Sequence, residues 1–513
     1  RILRPRQKKH CTNIKFPQAR NFFPQQIVCL SNGIRPISHG TADFYMNKKN
    51  EKLKALLARY ENDETDNDSL FLSEEEFDEL LSHYYEQQDY DRTLEVADLA
   101  IAQHRFSPEF YKWKALIHKI NLEEDDAFAA LEKLSIYAPN DEESLLLRLE
   151  VLVHFGHRDP AREVLEQLRN SVRGDEKFSL LAFFDGLLLM QEFRFEESFL
   201  SLCEAVKLDP MQEPALEELI NASEFIAYRK RLLKLFNQLL AKDPFNDLIW
   251  YYSGLWHDDD GNDLVALDAF ANARSLKSDH PIYDLEYADK LFDLDRYDLA
   301  LKSYTAYFES DNSEDSYETF MRVGRSYQML NHLEKAKKAY FRAIELNGDM
   351  YDIFQHLGEC FAAQEKWGIA AYNYGRAVER VGHTPDCWLG LGLCHAATNE
   401  NEEAELAFQK ALAMDDRYSD ATIAYAVLMV EQGDEVRALT FINDALERYE
   451  DASLVYGAVA IHLMANRRAQ ALTLLNTALS EYYHGHQMLI DFFPDLRDDG
   501  EIEAIFQLYR PRN

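Results

Sequence analysis

One pattern decides most of what this chain can become: small residues recur with a period of 34 over four-fifths of its 513 residues. In Glu334-Lys-Ala336-Lys-Lys-Ala339-Tyr340-Phe-Arg-Ala343, an alanine is followed four residues on by an aromatic ring and seven on by another alanine. Gly368-Ile-Ala370-Ala-Tyr-Asn-Tyr374-Gly-Arg-Ala377 and Glu402-Glu-Ala404-Glu-Leu-Ala-Phe408-Gln-Lys-Ala411 repeat it. Twelve anchor positions fit the frame: Thr93, Ala127, Ala161, Ser198, Leu232, Ala266, Ala300, Ala336, Ala370, Ala404, Ala438 and Ala471. Their intervals run from 33 to 37 residues, and eight of the eleven are 34. Twelve residues before most anchors sits another small residue: Ala115, Gly186, Gly254, Ala288, Gly324, Gly358, Gly392 and Ala426. The physical reason is helix packing. Two antiparallel helices come close only where small residues meet at the crossing and large ones beside them fill the gap.

The third small position, seven after the anchor (Ala205, Ala273, Ala343, Ala377, Ala411), is expected to contact the next unit. Asp209-Pro210, Asp243-Pro244, Asn347-Gly348 and Gln432-Gly433 mark turns. One such unit cannot bury its apolar face alone, so units stack around a continuous core. Ser73 and Glu76 form a capping-box pattern where the first unit begins.

These residues resemble the tetratricopeptide repeat (TPR), whose signature is W-x2-L-G-x2-Y…A-x3-F…P over 34 residues. Trp388-Leu-Gly-Leu-Gly392 with Ala404 and Phe408 carries the likeness, as do Trp250-Tyr-Tyr-Ser-Gly254 with Ala266 and Phe270, and Phe320-Met-Arg-Val-Gly324-Arg-Ser-Tyr327. The resemblance implies an all-α fold: a right-handed superhelical solenoid of about twelve helix-turn-helix units over residues 74–483. A C-terminal capping helix is expected within 484–513, where Ile502, Ile505 and Phe506 can cover the last unit. The unit around Leu232 departs from the pattern, with Ile220 and Leu232 in place of small residues, and predicts a looser helix pair or a bend.

Outside the repeats, residues 1–45 hold eight basic residues and one acid, Asp43, for a net +7. Two readings stand: an organellar transit peptide, or a translated upstream stretch that lies outside the natural protein. Either way this leader is expected to be poorly ordered. Residues 46–73 read as an N-terminal helix, Met46–Tyr60, and an acidic linker, Glu61–Asp68.

Charge bounds the partners. With 55 basic and 90 acidic residues the chain carries −35. A field of that sign repels nucleic-acid phosphates and anionic membrane surfaces. No apolar run reaches the ~18–20 residues of a membrane span. Six cysteines in this length make no disulfide framework, which points to a reducing, cytoplasmic setting.

Possible chemical motifs have simpler explanations. His484-Gly-His486 lacks a nearby third metal ligand. Cys360 and Cys394 are one repeat apart and, with Cys387, read as small core residues. Gly390 and Gly392 follow no strand, so they make no dinucleotide loop. His157-Arg-Asp159 has no accompanying kinase motif. No P-loop, nucleophile elbow or zinc-protease motif occurs, and no catalytic residue, metal site or cofactor is assigned.

In the resembled family, the first helix of each unit lines an inner surface that holds a peptide or a partner helix. Five inward positions per unit, carried over for eleven units, give 18 acids and three bases, Lys112, Lys119 and Arg325, among 55 residues. The groove candidates are the acids Asp258, Asp259, Asp289, Asp293, Asp352, Glu359, Asp386, Asp420 and Glu431, with Arg325. Apolar candidates interspersed with them are Phe183, Leu187, Tyr251, Phe292, Met321, Leu389, Leu393 and Ile423. A groove lined with one sign of charge prefers a basic protein or peptide partner with apolar anchors. The Lys and Asn clamp that related repeats use for chaperone C-termini is missing, since Lys112 is followed by Leu116. The leading function is thus a non-enzymatic interaction scaffold. Its rivals are a self-assembling solenoid and an enzyme using the carboxylates Asp258, Asp259, Asp289 and Asp293.

Overall fold

A computed structural model describes residues 52–61, 71–222, 226–310, 313–449, 451–492, 496–497 and 499–510. The leader and most of the acidic linker lie outside them. No strand occurs among the described residues, and none of their helices is long and apolar enough to cross a membrane. Backbone contacts group the chain into two units, one ending at Lys277 and the other starting at Ser278.

The first unit opens with α1 (52–61) and continues as six hairpins. These are α2–α3 (Glu74–Glu86, Tyr90–Gln103), α4–α5 (Pro108–Ile120, Glu124–Tyr137), α6–α7 (Glu142–His154, Arg158–Ser171), α8–α9 (Asp175–Gln191, Phe195–Leu208), α10–α11 (Glu213–Ala222, Ile226–Lys242) and α12–α13 (Asp247–Asp259, Asp263–Leu276). The second unit holds α14–α15 (Pro281–Asp293, Tyr297–Phe308), α16–α17 (Tyr317–Met329, Leu333–Leu346), α18–α19 (Tyr351–Ala363, Trp367–Val378), α20–α21 (Pro385–Ala397, Asn401–Met414), α22–α23 (Ser419–Glu431, Glu435–Arg448) and α24–α25 (Ala452–Met464, Arg468–Tyr482). Two short helices, α26 (Gln487–Phe492) and α27 (Gly500–Tyr509), follow.

All twelve anchors are buried, none more than 2% exposed. The residue twelve before the anchor sets how close each pair comes. The five hairpins with glycine there, at Gly186, Gly254, Gly324, Gly358 and Gly392, are the five most closely packed. A Cβ on Gly324 would sit 2.5 Å from the Tyr340 ring, four residues past the anchor. Leu81 and Leu149 hold α2–α3 and α6–α7 further open. The α22–α23 pair is as open despite Ala426, because α22 leans on α24 instead. There Gly457 admits Ile423, and a Cβ on that glycine would lie 2.4 Å from the isoleucine.

The turn inside each hairpin is equally regular. Five residues before eleven of the anchors the backbone is left-handed, with φ between 54° and 83°. The next N–H then reaches back to a carbonyl five residues earlier, as Glu123 does to His118 and Arg194 to Leu189. This Schellman closure satisfies a helix-end carbonyl. Glycine or asparagine fills six of these sites (Gly156, Gly261, Asn331, Asn399, Gly433, Asn466), but Leu122 and Phe193 fill two.

The expectation of a looser pair at Leu232 matches what is seen. The described backbones of α10 and α11 scarcely approach each other, and α10 leans on α9 and α12. At the N-terminal end, Ser73 and Glu76 make the expected reciprocal capping box. The C-terminal cover differs from the single helix expected: Leu489 and Ile490 of α26 and Ile502 and Phe506 of α27 bury against Val455, Tyr456, Leu475 and Leu479. Asp499 starts a second helix by accepting from the Glu501 and Ile502 backbone N–H groups.

Candidate functional site

Within the second unit, the first helices of successive hairpins, α14, α16, α18, α20, α22 and α24, each touch the next. In the first unit α4, α6 and α8 do the same, as do α10 and α12. Each run forms one face, and polar side chains bridge it at a fixed register. Lys112 meets Glu143, Lys119 meets Glu150, Arg325 meets His356 and Gln328 meets Glu359, each pair 31 residues apart. That interval is one repeat less about one helical turn.

In the first unit both expected groove cations are neutralised by their own chain. Lys112 Nζ lies 2.9 Å from Glu143, 3.0 Å from Glu109 and 3.1 Å from Asp141. Burial works against its charge, but these carboxylates outweigh it and raise its pKa. Lys119 and Glu150 pair at 2.5 Å with residues only 3% and 1% exposed. Asp259 is exposed and accepts from Arg229 at 2.5 Å; Asp258 is half-buried. Tyr251 is half-buried against the Phe270 ring.

In the second unit Arg322 sits between Asp289 and Asp293, at 3.5 and 3.4 Å, and stacks over Phe292. Tyr304 donates to Asp289 at 2.5 Å, and burial followed by that carboxylate pushes the phenol's pKa up. Arg325 donates to His356 Nε2 at 3.1 Å, which leaves His356 Nδ1–H to donate to Glu359, also at 3.1 Å. Gln328 and Gln355 add donors to Glu359 at 2.7 and 3.2 Å. Burial raises the Glu359 carboxyl, yet His356 and these amides bring it down to about 2. Asp352 accepts from the Ile353 N–H, Asp386 accepts from the Tyr418 hydroxyl, and Asp420 lies 3.4 Å from Ser453 Oγ. Met321 is half-buried and Glu431 exposed.

Five apolar candidates need correction. Phe183, Leu187, Leu389, Leu393 and Ile423 are between 1% and 6% exposed and belong to the core between helices. A large apolar side chain at these positions turns into the stack, where it leaves water. Conversely the sequence reading does not single out Arg322, Gln328, Gln355 or His356, although the 31-residue interval pairs two of them, His356 with Arg325 and Gln328 with Glu359. The predicted Phe292 and Met321 stay partly exposed, as do Ala396, Ala397, Val427 and Val430 on the same set of first helices.

Other reactive groups are held in the fold. The Cys360 and Cys394 thiols are pushed up by burial to about 12, and Cys203 and Cys387 to about 11, which keeps them protonated. Ligand atoms of His118, Glu123 and Asp126 lie within 4.8 Å of one another. However, His118 Nδ1 meets Glu123 at 2.6 Å, and His395 meets Glu400 at 2.5 Å in the same places of another hairpin. The recurrence makes this a clasp across the hairpin turn. His486 Nδ1 bonds the Tyr483 carbonyl at 2.7 Å and its ring packs on Phe506.

Family models described as tetratricopeptide repeat match residues 317–350 and 357–421, which hold the hairpin α16–α17, the end of α18, the helix α19 and the hairpin α20–α21. The second unit therefore carries tetratricopeptide repeats. Among solved structures, the chain is similar to a tetratricopeptide repeat protein from Parabacteroides merdae, at 16% identity over 50% of this chain and 98% of that one, TM-score 0.39. It is similar to yeast Tom70 at 13% identity over 84% and 98%, TM-score 0.31. It is also similar to YrrB, described as a TPR protein with an unusual peptide-binding site, at 22% identity over 37% and 96%, TM-score 0.32. No curated protein matches the chain. Tetratricopeptide-repeat proteins are interaction scaffolds that bind protein or peptide partners.

Proposed function

We propose that the first-helix face of the second unit holds a basic peptide or helix carrying apolar side chains. The observation that supports this is an imbalance of charge: Asp289, Asp293, Asp352, Asp386, Asp420 and Glu431 lie on these helices with three cations, Arg322, Arg325 and the buried Lys290, which lies 3.6 Å from Asp293. Arg322 offsets only Asp289 and Asp293. The remainder of the face favours cations, and Ala396, Ala397, Val427 and Val430 offer apolar contact between them. The function is binding rather than catalysis, because Asp259, Asp289 and Asp293 are engaged by arginines of their own chain. A reducing, cytoplasmic setting suits the four buried free cysteines.

The test is a fluorescence-anisotropy titration with a labelled peptide alternating lysine and leucine. Binding is expected to saturate, to weaken as salt rises, and to fall by about tenfold in the Asp352→Lys, Glu431→Lys double variant. Binding that is unchanged by the double variant would overturn the proposal.

A further inference from the structure

The second unit carries a different site on its second helices. Between α15 and α17, over α16, lies a cleft of about 350 Å³ lined by Leu301, Tyr304, Phe308, Phe320, Val323 and Tyr327. That volume suits one large apolar side chain or a small aromatic group. Phe308 and Phe320 stack in it at 4.8 Å with 17° between planes, which gives a flat aromatic wall. One rim is built by α17, where Lys335, Lys338 and Arg342 also line the cleft. Their spacings of three and four residues put them on one helix face, and all three are exposed.

The charge on this rim runs against that of the chain, which carries −35. Arg342 is held at 2.7 Å from Asp315 and 2.6 Å from Glu345, so it braces the cleft's end. Lys335 lies over the Tyr327 ring at 5.4 Å. No ion pair engages Lys335 or Lys338 among the described residues. Two ammonium groups beside an aromatic-walled cleft complement an apolar side chain flanked by carboxylates.

We infer that this cleft is a docking site for an acidic peptide segment that inserts one aromatic side chain between α15 and α17. The carboxylates on either side of that residue meet Lys335 and Lys338. The site takes the opposite charge class from the first-helix face, so one protein can hold two partners at once, through separate surfaces.

The experiment titrates the full chain with a fluorescein-labelled, end-capped peptide, Asp-Glu-Asp-Phe-Glu-Asp, by anisotropy. Saturable binding with Kd below about 100 μM is expected at low salt. Lys335→Glu with Lys338→Glu should weaken it by at least about tenfold. Thr305→Trp, which fills the cleft from an exposed lining position, should do the same without changing the rim charge. Far-ultraviolet circular dichroism establishes that both variants fold. The lysine–leucine peptide should not displace the acidic one, so failure here is separate from failure of the first-helix face. The inference is overturned if the acidic peptide does not saturate by about 1 mM, or if either variant binds it as well as the parent.

Discussion

The Phe270 ring lies over Gly254 so closely that a Cβ on the glycine would stand 2.6 Å from Phe270 Cε1. These two residues set the approach of α12 and α13, among the closest in the chain. Gly254→Val must therefore push the ring or the helix aside, at a cost of about 1–3 kcal/mol. Gly375 in α19 has nothing within 4 Å of its would-be Cβ, so Gly375→Ala should instead stabilise by about 0.5–1 kcal/mol. Urea unfolding followed by far-ultraviolet circular dichroism reads both changes. An unaltered midpoint in Gly254→Val would show that the crossing is not set by this contact.

Leu122 and Phe193 occupy the left-handed turn position that glycine or asparagine fills in six other hairpins, and they are 70% and 77% exposed. A bulky side chain is strained at positive φ, by about 1–2 kcal/mol. Phe193→Asn is expected to raise the thermal midpoint through a gain of about 0.5–1 kcal/mol. A lowered midpoint in calorimetry would mean that the exposed ring has packing the turn geometry does not reveal.

The buried pair of Lys119 and Glu150 joins α4 to α6. Lys119→Met leaves an unpaired buried carboxylate and should cost about 3–5 kcal/mol. Adding Glu150→Leu should recover most of that loss, since an apolar pair of similar size avoids the desolvation of both ions. Chemical unfolding of the two single variants and the double variant gives the coupling; simple additivity of the two losses would refute it.

Glu359 gives stability a defined acid dependence. Its carboxyl is held at about 2 in the fold against an ordinary 4.5, so the folded state prefers the charged form. The stabilisation is full above about pH 4.5 and is lost as the pH falls toward 2. Glu359→Gln should lower stability at neutral pH and flatten this part of the acid limb. Parallel curves for parent and variant between pH 5 and 2 would remove Glu359 as a contributor.

The hairpins were legible because their spacing is imposed by geometry: Gly392 and Phe408 can meet only if sixteen residues of helix, turn and helix separate them. The exposure of first-helix side chains was legible for charged positions such as Asp352 and Glu431, though not for the buried pair of Lys119 and Glu150. It was not legible for Leu389 or Ile423. Whether such a side chain turns to the groove or into the stack depends on its neighbour, and Gly457 is what draws Ile423 inward. The Arg322 and His356 contacts required knowing how far one hairpin is displaced along the next.

Hydrogen–deuterium exchange with and without the lysine–leucine peptide tests the scaffold reading most directly. The expected result is added protection confined to α18, α20 and α22, with the second helices unchanged. Protection on α17, α19 and α21 instead, or no protection at a saturating peptide concentration, would contradict binding on the first-helix face.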